Sequence, residues 1–412
     1  MASVTPPLPI VRIAFYAFIF ALPIESLDVG LEKSALSLSA VVGYLFLATA
    51  LLQPAVAFGL PPRPLWYFAA YLFVFVFMGI WQALDVGGGV VGRLSTTIQM
   101  VVFFWICYSL FLHQQLIKGA WGALGAGCIL LAVLQLSGLA ATTVAGGRVS
   151  ALDQDANSLG SMLSLGLISL LGLAYGRASP DGKIDWVAWI GFGIIAIGVV
   201  VSGSRGAFLA LVTGLLCFVA KPGQVTFRIK AGAFSLLAIA VLVLAAYQND
   251  AVRDRWERTF SEGNMSGREK IMPEAWSMFL ESPLMGWGPG NHVIELGLRF
   301  GRNRLDTHNG YLWVLTESGI VGATPYFLGL ALCLRSAWRA RHGLEGTLPF
   351  ALLMCVFMVN MSITWHSRKI FWLILAYGAA SESFLAKRLD QGYSVGVVQK
   401  AHHSIKDGQH RS

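Results

Sequence analysis

Ser266-Gly267-Arg268, Pro283-Leu284-Met285-Gly286-Trp287-Gly288, His308-Asn309-Gly310-Tyr311-Leu312 and Glu317-Ser318-Gly319-Ile320-Val321-Gly322 follow one another in the chain's one extended polar region and the helix it leads into. On both sides of this region the sequence is apolar over long runs. Hydrophobic residues make up 56% of the chain and charged residues 13%, far more apolar than a soluble core of this length requires. Runs of about 20 apolar residues cross a bilayer as helices, whereas barrel strands alternate polar and apolar residues with period two. The runs here are continuous, at roughly 8–24, 35–53, 64–82, 94–112, 119–138, 156–175, 184–201, 205–220, 230–247, 309–334, 347–365 and 370–388. The expected fold is an all-α polytopic membrane protein with about twelve transmembrane helices and one large periplasmic loop containing short amphipathic helices.

Loop charge orients that array. Taking the N-terminus as cytoplasmic, the even connections and the C-terminal end carry Arg63, Lys118, Arg177, Lys183, Lys221, Arg228, Lys230, Arg335, Arg339, Arg341, Lys387 and Arg388. The short odd loops hold only Lys33, Arg93, Arg148, Arg205, Arg368 and Lys369. Positive charge in short loops stays inside, so both termini are expected in the cytoplasm. The expected organisation is nine spans over 1–248, the large periplasmic loop over 249–308, three spans over 309–390 and a disordered cytoplasmic tail over 391–412. The first seven residues lack the features of a cleaved signal peptide, so the N-terminus is expected to be retained.

Several function classes drop away. The sequence pI is about 9.3, yet the basic residues are spread over short loops, where topology and contact with membrane lipids account for them. No nucleic-acid partner is expected, and no P-loop or dinucleotide fingerprint points to a nucleotide. Cys107, Cys128, Cys217, Cys333 and Cys355 all fall in apolar runs and lack metal-ligand spacing, so neither a disulfide nor a zinc site is expected.

Charge held against hydrocarbon is costly unless it faces a polar cavity or a partner, which singles out a few external residues. Arg205 sits in the turn Ser202-Gly203-Ser204-Arg205-Gly206, between two apolar runs. Arg148 precedes Asp153, Asp155 and Asn157, of which Asn157 reads as a helix N-cap and either aspartate as an ion-pair partner. Arg268 opens an amphipathic pattern, Ile271, Ala275, Met278 and Phe279, expected to lie along the membrane surface. Arg253, Arg255 and Arg258, interleaved with Asp254 and Glu257, read as a solvated helical face, and Arg299, Arg302 and Arg304 as contacts for lipid phosphates. His308 abuts the next apolar run. The other loop histidine, His292, does not, and His366 near Arg368 and Lys369 reads as structural. Glu317 lies deeper in the helix, in a pairing or cavity-capping role.

Arginine grips phosphate with a planar, permanently charged fork. Several guanidiniums at an outer leaflet without a carboxylate cluster suit a lipid-linked diphosphate donor, whose leaving group gains charge in the transition state. The glycan is already activated, so no cofactor is expected, and Asp153-Gln154-Asp155 is the one pair with metal-like spacing. For His308 two readings stand. As a base it takes the proton of the attacking hydroxyl and works neutral, its pKa lowered by nearby arginines. As a diphosphate contact it works protonated.

The order and spacing of the motifs quoted first resemble the signature of the O-antigen ligase and polymerase superfamily. The Ser-Arg-Gly turn at 204–206 is similar to one found there. The resemblance implies metal-independent, inverting transfer from undecaprenyl-pyrophosphate-linked O-antigen, with His308, Arg268 and Arg205 as catalytic candidates and Arg205, Arg268 and Arg148 around the pyrophosphate. One long external loop favours the ligase, with lipid A-core oligosaccharide as acceptor, over the polymerase, whose members tend to have two. A transporter is the alternative from another class, but the chain shows no repeated halves.

Overall fold

In the computed structural model, residues 5–25, 37–82, 89–144, 147–176, 186–220, 225–341 and 346–383 are described. The expected disordered tail, and the side chains of Lys33, Arg177, Lys183, Lys221, Arg228, Lys230, Lys387 and Arg388, lie outside them.

In chain order the helices are α1 Pro9–Ala21, α2 Leu38–Leu51, α3 Pro54–Ala57, α4 Arg63–Gln82, α5 Gly89–Phe111, α6 Gln114–Ser137, α7 Ala156–Gly176, α8 Trp186–Val201, α9 Arg205–Cys217, α10 Val225–Gln248, α11 Asp250–Glu262, α12 Arg268–Glu281, α13 Asn291–Arg299, α14 Gly310–Ala340, α15 Leu348–Asn360 and α16 over 369–383. The protein is a helical membrane protein. A helix lies at each expected span, but among the described residues five are long and apolar enough to cross a membrane, in α4, α5, α6, α7 and α14. A sixth joins them if Ser235–Gln248 and Val252–Glu262 count as one span across a 94° bend; α1, α2, α9 and α15 are shorter.

Local chemistry sets the helix ends. Ser37, Ser204, Asn249 and Asn309 each accept a backbone N–H from the first turn they precede, satisfying donors that a helix start leaves open. The bundle core is aromatic, with Phe15, Phe68, Phe104, Trp121, Trp372 and Tyr377 buried. Helices approach closely where glycine allows it: a Cβ on Gly166 of α7 would fall 2.5 Å from Cys128 of α6, the small-residue contact that membrane helices favour. All five cysteines are buried and free.

One addition to the all-α expectation is a β-hairpin between α6 and α7, Ala141–Val144 pairing antiparallel with Arg148–Ala151. Its Thr142, Thr143, Val144 and Val149 are β-branched, the type that suits strands. Gln135 of α6 donates to Val149 O at 2.8 Å, and so sets Arg148 at a defined place above the bundle.

Two of the quoted motifs, Pro283–Gly288 and Glu317–Gly322, meet at a break in α14. Gly319 there has φ +57° and ψ −168°, which interrupts the helical ladder. The segment Pro283–Gly288 fills the gap. Trp287 N and Gly288 N donate to Thr316 O and Glu317 O at 2.9 and 2.8 Å, and Ile320 N and Val321 N donate to Pro283 O and Leu284 O at 2.8 and 3.1 Å. The two backbones approach so closely that a Cβ on Gly319 would lie 2.3 Å from Leu284 O. That is why glycine occupies both sides of the contact, at 286 and 319.

Over 249–308, α11, α12 and α13 form a small layer on this foundation. The apolar face of α12 is the one expected, with Ile271, Ala275, Met278 and Phe279 buried. It does not rest on lipid. Ile271, Ala275 and Met278 pack with Leu296, Leu305 and Leu312 into a satellite core, because α13 and the start of α14 offer a complementary apolar surface.

Candidate functional site

The turn between α8 and α9 forms the floor. Gly203 takes φ +58°, and a Cβ there would meet Arg148 Cγ at 2.9 Å, so the Arg148 stem lies across this glycine. Arg205, first residue of α9, points toward the loop layer. Its Nη1 donates to Arg255 O at 3.2 Å and Asn264 O at 3.0 Å, and its Nη2 donates to Ser266 Oγ at 3.0 Å. Arg255 answers from α11, donating to Gly203 O at 3.2 Å and to the same Ser266 Oγ at 3.4 Å. Carbonyls and one hydroxyl therefore hold these two guanidiniums in place without neutralising them.

Arg268 enters at the start of α12, behind Gly267 in the left-handed region at φ +88°. Glu269 accepts the N–H groups of Met265 and Gly267 at 3.0 and 3.2 Å and thereby shapes the turn that turns Arg268 inward. Arg268 Nε is buried with no hydrogen-bond partner among the described residues. Burial is the main cause lowering its pKa, Asp155 opposes this, Arg148 adds to it, and Asp306 and Glu269 oppose it. Arg255 in turn feels Arg148, Arg205 and Arg268 as its nearest like charges. Four arginines from a hairpin, a helix start and two loop helices thus share one patch.

His308 faces this patch from the approach to α14. Its backbone is in the left-handed region at φ +53°, held by donation from its own N–H to Asp306 Oδ1 at 2.6 Å. Thr364 Oγ1 donates to the same oxygen at 2.6 Å. Burial lowers the His308 pKa, Asp306 pulls it up, Arg268 pushes it down and Asp155 pulls it up. The direction agrees with the sequence reading, but the leading cause is burial, with Arg268 contributing after it. The cluster therefore brings together Arg148, Arg205, Arg268 and His308, with Asp155, Asp306 and Glu269 as the carboxylates that act on it.

Several roles differ from those read in the sequence. Asp155, not Asn157, caps α7, its Oδ1 accepting from Asn157 N at 2.9 Å and Ser158 N at 3.2 Å, since it sits one residue before the first helical turn. Arg255 leaves the solvated face assigned to it, while Arg253 keeps that role with ion pairs to Asp250 and Glu257 at 2.7 and 3.7 Å. The sequence held no signal for Arg255: its place three residues after Val252 marks an inward face only once Val252 is seen to be buried. Arg299 does not reach for lipid phosphate. It is ion-paired with Glu274, Glu281 and Glu295 and ties α12 to α13.

Beneath the site, Glu317 is buried and accepts Gly290 N at Oε1 and Trp313 Nε1 at Oε2, both at 2.9 Å. Trp313 carries His292 edge-on at 4.3 Å, His366 at 5.2 Å and Arg93 over its face at 4.7 Å. Burial drives the His292 pKa far down, so it is a neutral packing group. Glu317 anchors the glycine turn at 288–290.

One hollow adjoins the cluster through Asp155, and a second adjoins the first. A polar cavity of about 140 Å³ is lined by Glu25, Asp153, Asp155, Ser158, Arg368 and Lys369, with Arg368 paired to Glu25. An apolar groove of about 340 Å³ opens between α1, α2 and α5, and Lys369 lines both. Among the described residues no three His, Cys, Asp or Glu side chains gather as a metal site.

Residues 190–327 match the family described as O-antigen ligase. The match contains Arg205, Arg255, Arg268, His308 and the broken stretch of α14, and it leaves Arg148 outside. The motif resemblance read between Ser266 and Gly322 lies within it. No curated protein matches the chain.

Proposed function

We propose that the protein is a glycan-transferring enzyme of the O-antigen ligase kind, moving O-antigen polysaccharide from undecaprenyl pyrophosphate onto lipid A-core oligosaccharide at the periplasmic face of the inner membrane. The observation that carries the reading is the set of four half-buried arginines gathered opposite one histidine. The polar cavity that includes Asp155 shares Lys369 with the apolar groove between α1, α2 and α5, a surface that suits an isoprenoid chain.

In this reading Arg205, Arg268 and Arg148 hold the diphosphate, with Arg255 fixing Arg205 and adding charge. A core hydroxyl attacks the anomeric carbon from the side opposite the diphosphate. The new C–O bond forms as the bond to the phosphate oxygen breaks, its electron pair leaves with the diphosphate, and the configuration inverts. The guanidiniums stabilise the charge growing on that leaving group. The imidazole of His308 takes the hydroxyl proton, and Asp306 fixes the strained backbone that aims it. Arginine serves as the charge stabiliser, so the transfer is metal-independent.

The test is reconstitution of the full-length protein in liposomes with lipid-linked O-antigen and one of two acceptors. Glycosylated lipid A-core is the expected product. A lengthened lipid-linked glycan as the sole product would make the protein an O-antigen polymerase using the same donor, and no transfer to either acceptor would overturn both.

A further inference from the structure

At its other end, α14 helps to build a second basic site. The helix starts beside His308, and α4 packs against it antiparallel, with Phe68 beside Gly329 and Val74 beside Gly322. The start of α4 and the end of α14 therefore meet on the membrane face opposite the cluster. Between them and α16 lies a cavity of about 200 Å³ lined by Arg63, Tyr108, Arg335, Ser336, Arg339 and Glu382.

Its charge is unbalanced. Glu382 accepts Arg339 Nη1 at 2.7 Å and Ser336 Oγ at 3.0 Å, so the one lining carboxylate is committed. Arg63 and Arg335 have no carboxylate within ion-pair distance among the described residues. Arg63 is also the first residue of α4, where the helix dipole adds partial positive charge, and Pro62 and Pro64 restrict the backbone on either side of it.

Depth and surroundings narrow the ligand. Trp66 and Trp338 are 65% and 42% exposed beside the cavity, and Arg341 lies over the Trp338 ring at 3.7 Å. Exposed tryptophan at helix ends marks headgroup level. From that level an apolar stripe continues along the outer face of α4, where Trp66, Phe73 and Phe77 are all exposed at i, i+7 and i+11, on one side of the helix. A phosphate with an acyl chain beneath it fits both parts.

We infer that this cavity is a binding site for an anionic phospholipid, its phosphate between Arg63 and Arg335 and one acyl chain along the α4 stripe. The inference is independent of the transfer reading, since it uses none of the residues at the other face.

The test uses full-length protein in nanodiscs of phosphatidylcholine with increasing phosphatidylglycerol, followed by native mass spectrometry of the lipids retained. Wild-type protein is expected to keep phosphatidylglycerol over phosphatidylcholine. The double variant Arg63→Gln with Arg335→Gln should retain roughly thirtyfold less, given about 1 kcal/mol for each basic residue near an anionic surface. Lys118→Gln, on the same face in α6 but outside the cavity, should retain it as the wild type does. Equal retention by the wild type and the double variant would overturn the site, and so would an equal loss in Lys118→Gln, which would mean diffuse attraction. Soluble glycerol 3-phosphate should not displace the lipid. If it does so at comparable concentration, the ligand is a free phosphate ester and the lipid assignment falls.

Discussion

Arg299 and Arg268 stand in the same layer, one at each end of a structural logic. Arg299 meets three glutamates, Glu274, Glu281 and Glu295, so its charge is cancelled by groups that also join α12 to α13. Arg268 lies among Arg148, Arg205 and Arg255; Asp155, Asp306 and Glu269 act on it, yet among the described residues it makes no ion pair and keeps one buried nitrogen unbonded. Burying like charges together costs free energy that only a binding anion returns. Under the proposed function the contrast separates a structural arginine from a donor-binding one by the presence or absence of ion pairs, a property that neither position in the chain nor residue type reveals.

The largest expected effect falls on the histidine facing the arginine group. His308→Ala should lower transfer by about 100 to 10,000-fold while donor retention in a binding assay stays near wild type; loss of donor binding instead would move His308 into the phosphate site. Next come Arg205→Lys and Arg268→Lys, each expected to lose up to about 100-fold in transfer, the scale for one transition-state donor, because a point charge cannot reproduce a bidentate fork. Normal turnover in both would erase the contrast with Arg299.

Arg299→Ala should do the reverse. It leaves three glutamates facing one another, and a loss of about 1–3 kcal/mol, the scale of charged hydrogen bonds, should appear as a lower midpoint in thermal unfolding. Turnover per folded molecule should be kept. Smaller still is a shift in pH dependence. The His308 pKa lies below its ordinary value of about 6.5, so the neutral base is fully present at pH 7 and the rate should decline only as acid crosses that lowered pKa. Asp306 raises the value, so Asp306→Asn, which keeps an acceptor for Thr364, should move the decline to still lower pH. A rate that rises on acidification would make His308 a cationic ligand. The smallest effect is none: EDTA should leave transfer unchanged, and a loss restored by magnesium would bring Asp153 and Asp155 into question.

Much of this was legible in the residues. The apolar runs located the helices, because hydrophobic length carries that signal directly, and Arg205, Arg268 and His308 stood out as polar groups at membrane edges. Arg255 did not, since its alternating charged neighbours mimic a solvated face and only packing shows which side of α11 turns inward. Arg299 read as free because its glutamate partners are 4, 18 and 25 residues away, and two of those separations exceed any local pattern. The face of α12 was found correctly and given the wrong neighbour: periodicity shows that a stripe is buried but not against what.

The break in α14 bears on how its span is completed. An unbroken helix is self-sufficient in lipid, because each of its amides already has a partner. α14 is not. Without Pro283–Gly288, the carbonyls of Thr316 and Glu317 and the amides of Ile320 and Val321 lack the bonds they hold in the finished protein, and an unsatisfied group in hydrocarbon costs several kcal/mol. The segment that completes the helix comes earlier in the chain, on the far side of α13 and the His308 turn. The finished α14 therefore contains a stretch of the loop layer: four bonds across the break at Gly319 are made with Pro283–Gly288, so the loop cannot shift without reopening the backbone ladder of the span.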